Sequence, residues 1–431
     1  MICDITAYGA IGDGKMLATN AIQAAIDACH QNGGGRVSVP AGVFKTGTIW
    51  LKSHVELHLE MGATLLASED LADYNAEDAY VQNFRSNDEE WCGKHLVIAL
   101  EAEDVALTGL GRINGNAECF YDVPEKKWHF LWMDGLALAK DKQNLRPGQL
   151  ICFIQCKHVR VQDIHIENNT CWCCFFHGCE FVQVRGVCIQ NQSTYANTDG
   201  IDIDTCRYVT VSDCLIDTAD DAFAIRGSAY RLTNKLPACE YVSISNCVLG
   251  SSSGAFRIGV GDSPIRHVRV SNIVVKRAAT AFILTSNYSA AWGRYTPTSD
   301  ISFQNVSVAD CSRVLKFGAA EKGVIRDVSF HDVHAVCTAG SYMKSPEGKH
   351  IQNVRFENFT VEVKDKGKMP PDMLTERRAH VIWMQNVAGG VLRHMQIRGA
   401  DQTAEPWEAE VMAEGCELLL EDCNFTPNTA Q

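Results

Sequence analysis

Short apolar pairs recur along most of the chain in one arrangement. An apolar residue is followed by one variable position and a second apolar residue, then by a variable position, an Asn, Asp or Gly, and another short apolar pair. The pattern reads as HVELHLEMGATL, DVALTGLGRI, HVRVQDIHIEN, FVQVRGVCIQN, YVTVSDCLIDT, YVSISNCVLGS, HVRVSNIVVKR, DISFQNVSVAD, DVSFHDVHAV, NVRFENFTVEV and, in a weaker form, HMQIRG. Its leading apolar residues are Val55, Val105, Val159, Val182, Val209, Val242, Val268, Ile301, Val328, Val354 and Met395, and between Val159 and Val354 they step by 23 to 33 residues. Alternation with a period of two marks short strands, and a repeat of this length marks coils that bury their apolar face only by stacking. The expected fold is therefore all-β, a single-stranded right-handed parallel β-helix forming one domain over residues 1–431. Helical periodicity is clear only in ATNAIQAAIDACHQNGGG, where Ala21, Ile22, Ala25, Ile26 and Cys29 share a face and Gly33 ends the run. Such a helix would close the first coil, with residues 1–50 forming the N-terminal cap and that coil.

Three stretches interrupt the rhythm, at 116–149, 228–238 and 286–297, and insertions of this kind wall a groove on one side of a β-helix. The first carries Trp128, Trp132 and Arg146, and the last carries Tyr288, Trp292, Arg294 and Tyr295. These aromatics are candidates for stacking on sugar faces, with packing of the loops onto the coils as the alternative.

Composition changes this picture in two respects. A hydrophobic content of 46% and 21% charged residues describe a globular chain, and a net charge of −13 without a run of Lys or Arg argues against nucleic acid or an anionic membrane as partners. No apolar stretch is long enough to span a bilayer, and MICDITAYGAIGDG lacks a secretory layout, so a cytoplasmic location is expected unless a leader was removed. The 19 cysteines cannot all pair within one chain. Cys171, Cys173, Cys174, His177 and Cys179 invite a zinc reading, but repeat position accounts for the cysteines better. Cys156, Cys179, Cys206 and Cys239 each stand three residues before a leading valine, while Cys214 and Cys247 share another position. A column of small buried thiols in a reducing compartment is expected, with neither metal nor cofactor.

Aligning four successive coils after the turn gives DGIDID (199–204), DAFAIR (221–226), GAFRIG (254–259) and TAFILT (280–285). Ile201, Phe223, Phe256 and Phe282 then form one inward column, while Asp202, Ala224, Arg257 and Ile283 form an outward one. Neighbouring coils lie about 4.8 Å apart, which makes Asp199 and Asp221 close neighbours, with Asp220 one residue before the second. Like charges so placed resist joint ionisation, so one carboxyl tends to hold a proton while others stay ionised. Glycoside hydrolysis needs that arrangement, with one group protonating the leaving oxygen and another activating water. Asx-turn capping explains one of Asp220 or Asp221 but not three acids on adjacent coils. Asp202 and Asp204 read equally well as exposed strand residues offset by Arg226 and Arg257.

The motifs resemble those of glycoside hydrolase family 28, the polygalacturonase family. ANTDGID (196–202) is similar to the family's NTDG motif, and TADDAFAIRG is similar to its Gly-Asp-Asp segment one coil on. The opening DITAYGAIGDG with GGGRVSVPAGVF, and the middle stretches RPGQLICFIQCKHVRV and NTCWCCFFHGCEFVQV, resemble the family as well. The resemblance implies a right-handed β-helix and an inverting hydrolase in which Asp220 is the general acid while Asp199 and Asp221 hold and activate water. Asn197, Asp202, Arg226, Arg257, His177, Trp172, Arg146 and Tyr288 are the candidate substrate-binding residues. Two family motifs are absent. Gly254 stands where a histidine is expected, and Ile283 and Thr285 occupy the places of an Arg-x-Lys pair that grips the substrate carboxylate. Bidentate recognition of a carboxylate needs such cations. The expected partner is therefore an oligo- or polysaccharide other than plain galacturonan, neutral or with its charge differently placed. Arg257 is left either to bind an acidic group elsewhere or to fill the missing histidine's place. Inverting enzymes usually separate their carboxyls by about 6.5 to 9.5 Å, a spacing that adjacent coils do not by themselves imply. A lyase using Ca²⁺ and an arginine base, a glycosyl-transferring enzyme and a non-catalytic carbohydrate-binding β-helix are the rival readings, and a homo-oligomer is compatible with each.

Overall fold

The computed structural model describes residues 1–76, 79, 91–121, 146–365, 380–404, 406–425 and 427–430. Strands form where the repeat places them, and the registers described between them run parallel, while an isolated antiparallel bridge joins Ala320 and Gly323. The described residues group into two compact units, one within residues 1–121, 146–220 and 230–236 and one within residues 221–229 and 237–430. No helix among the described residues is long and apolar enough to cross a membrane.

In the first unit, Val105 pairs with Val159, Val159 with Val182 and Val182 with Val209, so the leading position of the repeat forms an unbroken buried column. The helix spans Thr19–Gln31 and buries Ile22, Ala25, Ile26 and Cys29 against the strands Ile2–Asp4, Gly35–Val39, Ile49–Leu51 and Val55–Leu59. It ends two residues before the glycine that the sequence marks as its stop. Gly33 and Gly34 bond back to His30 and Cys29, and a side chain at Gly34, with φ of +102°, would lie 2.4 Å from the His54 carbonyl oxygen. The cysteine column is present: the Cys179 thiol accepts the Cys156 amide at 3.4 Å and donates to the Phe153 carbonyl at 3.1 Å, and Cys206 repeats this one coil on. Burial pushes the Cys156 and Cys179 thiols well above their usual range, which keeps them protonated.

In the second unit, Val242, Val268, Ile301, Val328 and Val354 are in register from coil to coil. Phe303, Phe330 and Phe356 stack behind them with ring centroids 5.0 and 5.1 Å apart, close to the spacing of the strands that carry them. The last repeat lies out of the expected phase. Phe356 pairs with Leu392 and Thr360 with Gln396, which puts Met395 in the second half of its coil rather than at the leading position.

Both corners of the coil use left-handed backbone. The Asn, Asp or Gly of the repeat has φ of 52° to 66° at Asp163, Gly186, Asp213, Asn246, Asn272, Asn305, Asp332 and Asn358, a conformation those residue types tolerate best. The residue before the leading apolar position does the same although it is often bulky, as at His158, Phe181, Tyr208, Tyr241 and His267. Part of that conformational cost is offset where the rings stack, Phe181 on Tyr208 at 4.9 Å and Tyr241 on His267 at 5.1 Å.

Candidate active site

In the first unit the strands Ile151–Ile154, Cys174–His177 and Ile201–Asp204 lie side by side, with Ile151, Cys174 and Ile201 in register. The turn that enters the last of them carries Asn197, which has φ of 56°, and Asp199, which is 2% exposed. A buried cation holds this turn. Arg146 donates to the Tyr121 hydroxyl, the Thr170 carbonyl, the Ala196 carbonyl at 2.9 Å and the Asn197 side-chain oxygen at 2.9 Å. Its guanidinium lies 5.5 Å from the centre of the Tyr121 ring, which stacks on Tyr195 at 4.6 Å. Thr198 extends the clamp: its hydroxyl bonds to the Tyr195 carbonyl at 2.9 Å and accepts the Ala219 amide at 3.3 Å. Thr218 in turn bonds to the Asp220 carbonyl at 2.7 Å. Asp199 and Asp220 thus stand on mutually braced turns, and a carboxylate oxygen of each lies within 4.8 Å of the other.

Several residues expected at this site are buried instead. Arg146 is 2% exposed and belongs to the framework of the turn, and Asn197 is bonded to it. Trp172, 4% exposed, packs among Ile98, Cys152, Ile154 and Phe175, meeting the Phe175 ring edge-on at 5.4 Å, so it presents no face to a sugar. His177 is fully buried between Phe175 and Asp204, whose carboxylate is 3.9 Å from its Nε2. Asp202 and Asp204 are buried too, which overturns their reading as exposed strand residues. Among the described residues, the groups of three or more side chains close enough to share a metal ion include no cysteine. Trp128 and Trp132 lie outside the described residues.

Asp221 belongs to the second unit. The strand after it, Phe223–Gly227, pairs with Gly254–Gly261, which pairs with the end of Ile265–Thr285. Phe223, Phe256 and Phe282 form the expected inward column, and Ala224, Arg257 and Ile283 the adjacent one. The Asp221 carboxylate is 2% exposed and accepts three hydrogen bonds from the neighbouring coil. Oδ1 receives the Gly254 amide at 2.9 Å and the Ser253 hydroxyl at 3.1 Å, and Oδ2 receives Nε of Arg257. The Arg257 guanidinium also lies 5.5 Å from the centre of the Tyr288 ring, and Tyr288 is half exposed. Arg226 is 9% exposed, so it offers little surface to a ligand.

The model of the glycosyl hydrolases family 28 matches residues 29–388. The chain belongs to that family. Among family 28 relatives it is 30% identical over 258 residues to an exo-poly-α-D-galacturonosidase of Dickeya chrysanthemi, covering 51% of this chain and 41% of that protein. It is 28% identical over 240 residues to a probable polygalacturonase of Vitis vinifera, covering 53% and 46%. The matched segments thus span less than half the length of these relatives. Among solved structures, a family 28 exopolygalacturonase of Yersinia enterocolitica superposes with a TM-score of 0.62 at 19% identity, covering all of this chain and 77% of that one. A hyperthermoactive exopolygalacturonase of Thermotoga maritima gives 0.60 at 23%, covering 98% and 91%. Their likeness fixes the fold as the right-handed parallel β-helix of family 28.

Within this family 28 chain, sequence reasoning overlooked three residues that shape the site: Tyr121, Tyr195 and Ser253. Ser253 had a signal, since it precedes Gly254 in the aligned column. The two tyrosines had none, because Tyr121 contacts an arginine distant in sequence and backbone carbonyls, and Tyr195 stacks on Tyr121.

Proposed function

We propose that the chain is an inverting glycosidase of family 28. In this reading Asp220 protonates the leaving glycosidic oxygen, and Asp199 and Asp221 hold and deprotonate the attacking water. The observation that carries it is the family match across residues 29–388 with all three acids in place. Two features of the geometry support the division of roles. Asp221 accepts three hydrogen bonds that fix its carboxylate, as suits a group that orients water, whereas Asp220 is the least buried of the three and so the best placed to meet a leaving group.

The substrate we propose is a glycan from plant or microbial walls that differs from plain galacturonan in where its charge lies. Ile283, 4% exposed, and Thr285 leave the family's clamp position without a cation. The cations come further along the same register: Ile283 pairs with Lys316, Lys316 with Tyr342 and Tyr342 with Trp383. Lys344 sits 4.5 Å from the centre of the Trp383 ring and 5.3 Å from that of Tyr342, and Arg313 lies 5.0 Å from the latter. Lys316 is three strands from that of Asp221, about 14 Å at the usual spacing. A sugar at the reacting position would meet an apolar side chain, and an acidic group further along would meet these lysines.

A product screen tests this reading. Wild type, Asp220→Asn and Asp221→Asn are incubated with oligogalacturonates, their carboxyl-reduced forms and mixed neutral and acidic wall oligosaccharides. Products are followed by mass and by the anomer first released. Turnover by wild type with at least a 100-fold loss in both variants is expected, as for removal of a catalytic acid or base. Equal activity in the three proteins would sink the assignment, and a product with an unsaturated end would turn it into a lyase.

A further inference from the structure

We propose that Arg257 is the positioning residue for Asp221, and that Gly254 and Ile283 are the two replacements that make room for it. The inference rests on the glycosidase reading for its kinetic consequence but not for its geometry.

Asp221 is held at both oxygens by one neighbouring coil. The Gly254 amide and the Ser253 hydroxyl fix Oδ1, and Arg257 Nε fixes Oδ2. Donors on both oxygens set the plane of the carboxylate and not merely its position. Arg257 is itself restrained, being only 18% exposed and packed over the Tyr288 ring. An arginine so pinned loses little further freedom in orienting its partner.

The amide contact requires glycine at 254. A Cβ there would come 2.5 Å from Asp221 Oδ1 and 2.9 Å from Ile283 Cδ1, so any side chain would displace the carboxylate from its donor. A histidine at 254 and the observed Asp221 conformation are therefore incompatible. Position 283 is coupled through the strand register, where it lies directly opposite Arg257. Like charges directly opposite on neighbouring strands repel, so a cation at 283 would work against Arg257, whereas Ile283 fills the space without charge. The absent histidine, the absent clamp arginine and the new Arg257 are on this view a single change. Orientation of the water-holding carboxylate has passed to an arginine on the adjacent strand, and the position beside it has become apolar.

Two measurements on the full chain test this. The first needs no activity: amide hydrogen exchange of the segment containing Gly254, in wild type, Arg257→Gln and Arg257→Lys. Freed from Arg257, the Asp221 carboxylate is expected to swing off the Gly254 amide, raising its exchange at least 10-fold in Arg257→Gln and less in Arg257→Lys. Unchanged exchange in folded Arg257→Gln would overturn the proposal, and Arg257→Lys is read alone should the glutamine variant fail to fold. The second uses the best substrate of the product screen. Arg257→Ala should lower kcat about 100-fold, the cost of a small misplacement of a reacting group, with KM nearly unchanged and partial recovery on adding guanidinium. A raised KM with unchanged kcat would instead make Arg257 a direct substrate ligand and refute the positioning role. Should wild type turn over nothing in the screen, the glycosidase reading fails while the exchange experiment still decides the role of Arg257.

Discussion

The clamp around Arg146 makes a prediction whose sign follows from hydrogen-bond accounting. In Arg146→Met the stem keeps its packing while the guanidinium is lost, together with its bonds to Tyr121, Thr170, Ala196 and Asn197. Each bond to a charged group is worth about 1.5 to 3 kcal/mol, but the sum overstates the loss because the desolvation of a buried cation disappears with it. The carbonyls are also not orphaned. The single Tyr121 hydroxyl proton still serves Thr170 O at 2.7 Å or Ala196 O at 3.2 Å. A cost of about 2 to 3 kcal/mol is expected, at the low end for a broken buried ionic network. Tyr121→Phe should cost about 1 kcal/mol, since Arg146 continues to satisfy both carbonyls. In the double variant both carbonyls lose these side-chain donors, and each unsatisfied group adds about 1 to 3 kcal/mol. The double variant must therefore be destabilised by more than the sum of the singles, with a coupling of at least about 1 kcal/mol. Denaturant titrations give the cycle, and amide exchange over residues 195–199 reports the turn directly should unfolding depart from two states. Additivity within about 0.5 kcal/mol would refute this account of the clamp.

Two further outcomes follow from the fold. Gly259→Ala would set a Cβ 1.7 Å from the Thr285 carbonyl oxygen at a φ of +107°, so it should destabilise by more than about 3 kcal/mol or leave the protein insoluble; a thermal midpoint equal to wild type would contradict the observed register. Brief iodoacetamide treatment of native protein should modify Cys119, which is exposed, and leave Cys311 and Cys337 unmodified, because burial raises both thiols, that of Cys337 to about 12. Peptide mass spectrometry checks the order, and labelling of Cys337 at the rate of Cys119 would show that the coils open.

What could be read from the sequence, and what could not, follows from which atoms carry the information. The coil corners at Asp163, Asn246 and Asn358 were legible because the residue types that tolerate left-handed backbone are few. The other corner was not, since His158, Phe181 and Tyr208 are poor candidates for that conformation and show their role only through their period. Inward columns such as Phe223, Phe256 and Phe282 followed from alternation alone. Alternation also misled: the two apolar pairs of a coil look alike, and in the last coil Met395 was assigned to the wrong one. Outward positions were the least legible. Asp202, Asp204 and His177 occupy polar columns and yet are buried, because what covers a strand is not written in that strand. Arg146 was noticed for its charge but misread, since two of its partners are backbone carbonyls that any sequence supplies.

In a stacked coil, the nearest neighbour of a side chain is often the equivalent residue one turn along rather than the next in sequence. Asp221 is therefore answered by Gly254 and Arg257, Arg257 by Ile283, and Ile283 by Lys316. Each answer is constrained by the one before it: a carboxylate that takes an arginine needs glycine beside it, and that arginine disfavours a cation across the strand. Transplanting a single missing family residue, a histidine at 254 or an arginine at 283, would thus act on Asp221 and Arg257 before it acted on any substrate. On the proposed role of Arg257, an attempt to place a carboxylate clamp at this position has to change positions 254, 257 and 283 together.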